Sequence, residues 1–200
     1  MRRRGATLVE VIVYCALLGL LLTAIYQVLI GCARAYVEYL SVTELERGVM
    51  IATTRVTWEL AESNSGSIRI DTNPSGIVFA SPQNAQGLFQ YDASGNLLWQ
   101  KYVCYYLDTA TRKLVRKEEY LTTPETSAPA IPTGKTTSYF KNSTSLVSTW
   151  SAPAITTFTP SGASPVSLTI AASAQSPIPD KTGTRPADNV EIFTRVYLRN

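Results

Sequence analysis

Hydrophobic positions divide the chain into stretches of different period. Residues 11–33 carry no charge, and Val11–Ile30 is almost wholly apolar on every side. Twenty helical residues rise about 30 Å, the thickness of a bilayer's hydrocarbon layer, so this run predicts a membrane-spanning helix. From 34 to 62 the pattern becomes one-sided. Leu45, Val49, Ala52, Val56 and Leu60 recur at steps of three or four, with Glu44, Glu46, Arg47, Arg55 and Glu59 off that axis. Asn64-Ser65-Gly66 ends the pattern, with Gly66 suited to a left-handed cap. The spacing predicts one helix from Ala6 to about Glu62. Its first half (6–33) spans the membrane, and its amphipathic second half (34–62) packs on a sheet.

Beyond Gly66 the period shortens to that of strands. Ser67–Ile70, Ile77–Ala80, Gly87–Tyr91, Leu97–Leu107, Lys113–Leu121, Val166–Ala171 and Val190–Arg199 are the predicted strands. Asp92-Ala93-Ser94-Gly95-Asn96 reads as a hairpin turn. Asp71–Gly76 mimics the start of a calcium loop, but its twelfth position is Pro82 where the cation needs a bidentate glutamate, so it too reads as a turn. In the last strand Val190, Ile192, Thr194, Val196 and Leu198 alternate with Glu191, Phe193, Arg195, Tyr197 and Arg199, as in a half-buried strand. Residues 122–165 hold 11 Thr, 8 Ser and 6 Pro, and read as a partly irregular insertion, with a strand or two inside, that docks on the domain through Tyr139, Phe140, Leu146, Val147, Trp150, Ile155 and Phe158. The fold class is therefore α+β, a long N-terminal helix packed on an antiparallel sheet built from residues 67–121 and 166–199. The β domain occupies 63–200.

Composition changes this picture mainly by exclusion. The 200 residues contain no histidine, which removes Ser-His-Asp and Cys-His catalysis, HExxH zinc chemistry and imidazole proton shuttles. No lysine or carboxylate spacing replaces them, so no catalytic residue, metal, cofactor or small-molecule substrate is expected. The net charge of +3 resides in Arg2, Arg3 and Arg4; beyond Gly5, 15 basic residues balance 15 acidic ones. The charge therefore does not argue for a nucleic-acid partner. Cys15 and Cys32 are about 25 Å apart along one helix, too far for a disulfide. Cys104 has no partner in the rest of the domain.

The arginines at one end of the apolar run place the N-terminus in the cytoplasm and export the remainder. Glu10 is the anomaly, a carboxylate at the apolar boundary, where intramembrane charge costs roughly 2.5–3.5 kcal/mol at mid-helix. Arg-Gly-Ala-Thr-Leu-Val-Glu, from Arg4 to Glu10, resembles the prepilin leader of type IV pilins and type II secretion pseudopilins. The resemblance covers about 30 residues and makes 1–5 the leader. It implies cleavage between Gly5 and Ala6 by a prepilin peptidase, methylation of the Ala6 amine, and Glu10 as the glutamate fifth in the mature chain. Two positions depart from the family: Ala6, where phenylalanine or methionine is preferred, and Gln27, where many major pilins carry a kinking proline. In a filament whose N-terminal helices bundle at the centre, Glu10 is expected to pair with a neighbour's Ala6 amine and set axial register.

Shorter segments narrow the resemblance. Tyr105-Tyr106-Leu107-Asp108 with Arg112-Lys113-Leu114-Val115-Arg116, and the terminal Thr194–Asn200, are similar to J-type minor pseudopilins and their W-type minor pilin relatives. Glu10 argues against the K-type, and the lack of a terminal disulfide pair argues against a classical major pilin. The resemblance implies a structural minor subunit of the bacterial inner membrane with a periplasmic C-terminal domain. Its implied partners are other pilins or pseudopilins, the prepilin peptidase, the assembly platform and the membrane.

Two other readings come from the same residues. Leu29-Ile30-Gly31-Cys32 looks like a lipobox, which would acylate Cys32. The stretch after Cys32, however, continues as helix where a lipoprotein needs a flexible polar tether. Arg112, Lys113, Arg116 and Lys117 form either a basic patch for DNA or, with Glu118 and Glu119 beside them, a solvated hairpin.

Overall fold

The computed structural model describes residues 7–175, 184–185 and 187–199. The chain divides into two compact units, one of Met1–Ser41 with Ser176–Pro186 and one of Val42–Gln175 with Ala187–Asn200. Helix α1, Leu8–Ala61, contributes to both.

In the first unit α1 is apolar and exposed on every side, with Leu8, Leu18, Leu22 and Leu29 all open. It is the one helix among the described residues long and apolar enough to cross a membrane. Full exposure of such a surface is stable only in an apolar solvent or against other protein.

In the second unit the helix turns one-sided, as its period requires. Leu45, Val49, Ala52, Val56 and Leu60 are all buried. They pack on two antiparallel sheets, where a single sheet was expected. The larger has the order β1-β2-β3-β4-β5, from Ile68–Thr72, Ser75–Ser81, Trp99–Asp108, Lys113–Glu125 and Ser148–Ala152. The smaller has the order β6-β7-β8, from Ile155–Ser161, Val166–Gln175 and Ala187–Val196. The chain leaves the first sheet at Ala152, which pairs with Leu114, and enters the second at Ile155, which pairs with Ala172. Between them Ala154 sits at φ 62°, a left-handed turn that redirects the strand.

Side chains alternate across the central strands and both faces are covered. Ile77, Phe79, Val103, Tyr105 and Leu107 join the helix stripe with Phe158, Leu168 and Ile170. Val78, Ala80, Tyr102, Cys104, Tyr106 and Val115 face the other way and pack with Phe140, Leu121, Ala128, Ile131 and Leu146. The cover on that second face comes from the Ser/Thr/Pro-rich stretch. A short helix α2, Thr137–Asn142, lies within it, capped by the Thr136 hydroxyl accepting from the Tyr139 amide. The stretch also contributes β5 and β6. It docks as expected through Phe140, Ile155 and Phe158 and holds two strands, as expected; helix α2 was not expected, and Val147 stays exposed.

Three local readings need correction. Gly66 does not form a left-handed cap: Asn64 caps a 3-10 turn at Ser65–Ser67 and accepts from the Gly66 amide. Gly87–Tyr91 is not a strand. Its backbone forms only single bridges, Gln83 to Phe89 and Tyr91 to Leu97. The Asn84 side chain holds the chain in a turn there by accepting from the Gln86 and Leu88 amides. The last strand ends at Val196, short of Arg199. The Asp92–Asn96 turn forms as predicted, Asp92 Oδ1 accepting from the Ser94 and Asn96 amides at 2.8 Å. Asp71–Gly76 is likewise a β1–β2 turn. Asp71 accepts from the Thr137 amide at 2.7 Å and from Arg69 at 3.0 Å, tying the hairpin to α2. Gly76 allows that approach, since a Cβ there would lie 2.6 Å from Thr137 Cγ2 and 2.7 Å from the Tyr105 carbonyl oxygen.

Candidate functional site

Glu10 stands in the first turn of α1, with Thr7 just outside the helix. The two form a reciprocal cap. The Thr7 amide donates to Glu10 Oε2 at 3.1 Å, and the Glu10 amide donates to Thr7 Oγ1 at 3.3 Å. This satisfies two of the donors that every helix start leaves open. The signal is present in the sequence as Thr-x-x-Glu, but the flanking apolar run dominates the reading there and hides it. Gly5 and Ala6 lie outside the described residues.

A carboxylate so placed keeps a lone-pair site free while its backbone partners orient it. Its chemistry is that of an acceptor for a cationic donor. Cys15 and Cys32 are free and exposed on α1, and the helix runs unbroken through Cys32 to Ala61. Cys104 is buried on β3, and burial pushes its thiol pKa far up, so it is an inert core residue.

The second cluster joins α1 to the larger sheet, and the sequence pattern does not reveal it. Glu59, read as off the helix axis, is buried. Arg116 Nε donates to both its oxygens, at 3.2 and 2.9 Å. Arg116 Nη1 also donates to Glu118 Oε2 at 2.8 Å and to Thr149 Oγ1 at 2.5 Å. Lys101 Nζ reaches the same Glu118 oxygen at 2.8 Å. Arg55 pairs with Glu59 at 3.2 Å and lies 5.1 Å from the centre of the Trp150 ring. Removing one member of such a buried pair costs about 3–5 kcal/mol, because its partner keeps its charge without a counterpart. The network thus fixes the rotation of α1 on the sheet.

These contacts also settle the hairpin cations. Arg116 and Lys117 are both buried, on opposite faces of β4. Lys117 donates to the Ser143 carbonyl at 2.9 Å and the Lys141 carbonyl at 3.4 Å, at the end of α2. For these two residues neither a DNA-facing patch nor a solvated hairpin holds.

Burial alone would raise the Glu118 carboxyl, but the hydrogen bond from Lys101 and the charge of Arg116 outweigh it and hold its pKa below the ordinary value. A lowered folded pKa stabilises the fold above the unfolded value, near 4.5, and that contribution disappears as pH falls through the folded value. Glu118→Gln should therefore be less stable than wild type at pH 7, with the gap closing below about pH 4. Denaturant unfolding at stepped pH measures this; a gap constant with pH would show that the carboxylate's charge does not contribute.

Among the described residues no group of acidic, cysteine or histidine side chains is arranged to hold a metal ion. No curated protein and no solved structure matches the chain. Residues 1–26 match the family described as the prokaryotic N-terminal methylation motif. The chain joins that motif to a pilin-like fold, a long apolar N-terminal helix continuing into an antiparallel β domain, as in the type IV pilin and pseudopilin superfamily in general.

Proposed function

We propose that this chain is a structural minor pilin or pseudopilin subunit, assembled through its N-terminal helix into the initiating or tip complex of a type IV pilus or a type II secretion pseudopilus. The observation that carries the reading is the methylation-motif match over residues 1–26, set on an all-round apolar helix with Glu10 in its first turn. The prepilin peptidase cuts between Gly5 and Ala6. Until assembly the subunit is a single-pass inner-membrane protein, its N-terminus cytoplasmic and its C-terminal domain periplasmic. Other minor and major subunits and the assembly platform are its partners. The β3–β4 hairpin, pairing Leu107 with Leu114 and Asp108 with Lys113, supports likeness to the J-type and W-type members.

N-terminal mass spectrometry of the native protein tests the processing step. The expected mature chain begins at a methylated Ala6. A terminus at an acylated Cys32 would make the protein a lipoprotein and overturn the proposal. Subunit counting in sheared filaments tests the minor role: a few copies per filament are expected, and abundance along the shaft would make it a major subunit.

A further inference from the structure

Strand β8 leaves its outer edge unpaired among the described residues, since β7 is its one neighbour in the order β6-β7-β8. Sheet edges in soluble proteins are usually short, covered, or blunted by proline, a bulge or charged side chains. The other edges here follow that rule. β1 and β5 have five residues each, and β6 carries Pro160. β8 is guarded only by charge: Ala187–Val196 runs ten residues with no proline, glycine or lysine, pairs with β7 in unbroken register and carries Asp188, Glu191 and Arg195, so a partner strand must match those charges.

Its side chains are arranged for a partner. Asn189, Glu191, Phe193 and Arg195 are exposed on the outer face, while Asp188, Val190, Ile192 and Thr194 are half-buried on the inner face. Val190 and Ile192 already touch the core and would gain cover from one more strand. Phe193 is 59% exposed, with the Arg195 guanidinium 5.6 Å from its ring centre.

We propose that β8 pairs with β8 of a second copy of this chain, antiparallel about a two-fold axis at Phe193. The charges select that occupant and that register. In an antiparallel pair, residues equally distant from the axis lie directly opposite on the same face. Centring on Phe193 sets Glu191 against the second copy's Arg195, and by symmetry Arg195 against the second copy's Glu191. Centring on Glu191 sets two carboxylates together, and centring on Arg195 sets two guanidiniums together. The Phe193 register also stacks the two phenyl rings between the ion pairs and sets Val190 against the second copy's Val196 and Ile192 against its Thr194 on the inner face. This pairing is independent of the filament role proposed above.

The test is cysteine crosslinking of the full chain in membranes, with the exposed Cys15 and Cys32 changed to alanine and the buried Cys104 retained. On mild oxidation Phe193→Cys should give a covalent dimer of twice the chain mass. Glu191→Cys and Arg195→Cys should each stay monomeric alone and crosslink when co-expressed. In the Phe193→Cys chain, Glu191→Arg should lower the dimer yield at least fivefold, and adding Arg195→Glu should restore it. Equal yields from the single and double charge variants would overturn the register. Crosslinking of Phe193→Cys only to a protein of different mass would replace the second copy with another subunit, and no crosslink at all would refute the pairing.

Discussion

Val49→Asp should lower the stability of the β domain by about 3–5 kcal/mol. Val49 has no exposed surface and sits mid-stripe between Leu45 and Ala52. Losing a buried valine forfeits about 1.5–3 kcal/mol. Placing an acid there without a partner adds about 1–3 kcal/mol of desolvation, even after it protonates. Domains of this size are stable by about 5–15 kcal/mol, so the variant retains at best a small margin, and its melting temperature should drop by about 10 °C. Met50→Asp is the matched control. Met50 is 63% exposed one position along, and its replacement should stay within about 0.5 kcal/mol. Melting curves of the two variants in a fragment from Arg34 onward decide the matter. If both melt like wild type, the stripe is not what holds α1 to the sheets.

The second large effect is expected at Glu10, and the cap geometry shows how to isolate it. Loss of the carboxylate should leave a neighbour's terminal amine unpaired in an apolar surrounding, a penalty of about 3–5 kcal/mol. At 1.4 kcal/mol per tenfold, that is about two orders of magnitude or more in incorporation. Glu10→Ala removes the charge and also the bond from the Thr7 amide, so by itself it confounds the two roles. Glu10→Gln separates them, because glutamine can still accept from that amide but carries no charge. Both variants should be processed normally and fail to join the complex in a membrane crosslinking assay, while Thr7→Val, which spares the carboxylate, should join it. If Glu10→Gln assembled like wild type, the cap would be the residue's function and the ion-pair mechanism would be refuted.

How far the sequence can be read depends on whether a pattern needs one neighbour or several. The helix stripe needs only its own period, and all five of its residues are buried. The Asp92 turn needs only the hydrogen-bonding reach of one side chain. Arg116, Lys117 and Glu59 are misread from sequence because their burial depends on three segments meeting, among them a stretch whose composition looks solvated. The split into two sheets is invisible for a related reason: it turns on the left-handed backbone at Ala154, a residue with no preference for it. The N-terminal motif is legible because basic residues, glycine, carboxylate and apolar run are contiguous. Its capping threonine is equally local, three positions before Glu10, and is masked only by the stronger apolar signal around it.

The cover on the back of the larger sheet has a practical consequence for anyone labelling or shortening this protein. Residues 126–146 look like the natural place to cut, or to splice in a fluorescent tag or an epitope. Phe140, with no exposed surface, and Thr137, hydrogen-bonded to Asp71, make that stretch part of the interior. Splicing there would uncover Tyr102, Cys104 and Tyr106, and the product would aggregate. The Asp92–Asn96 turn is the better graft point: its five residues carry no core side chain, and the bridge from Tyr91 to Leu97 holds the two ends together.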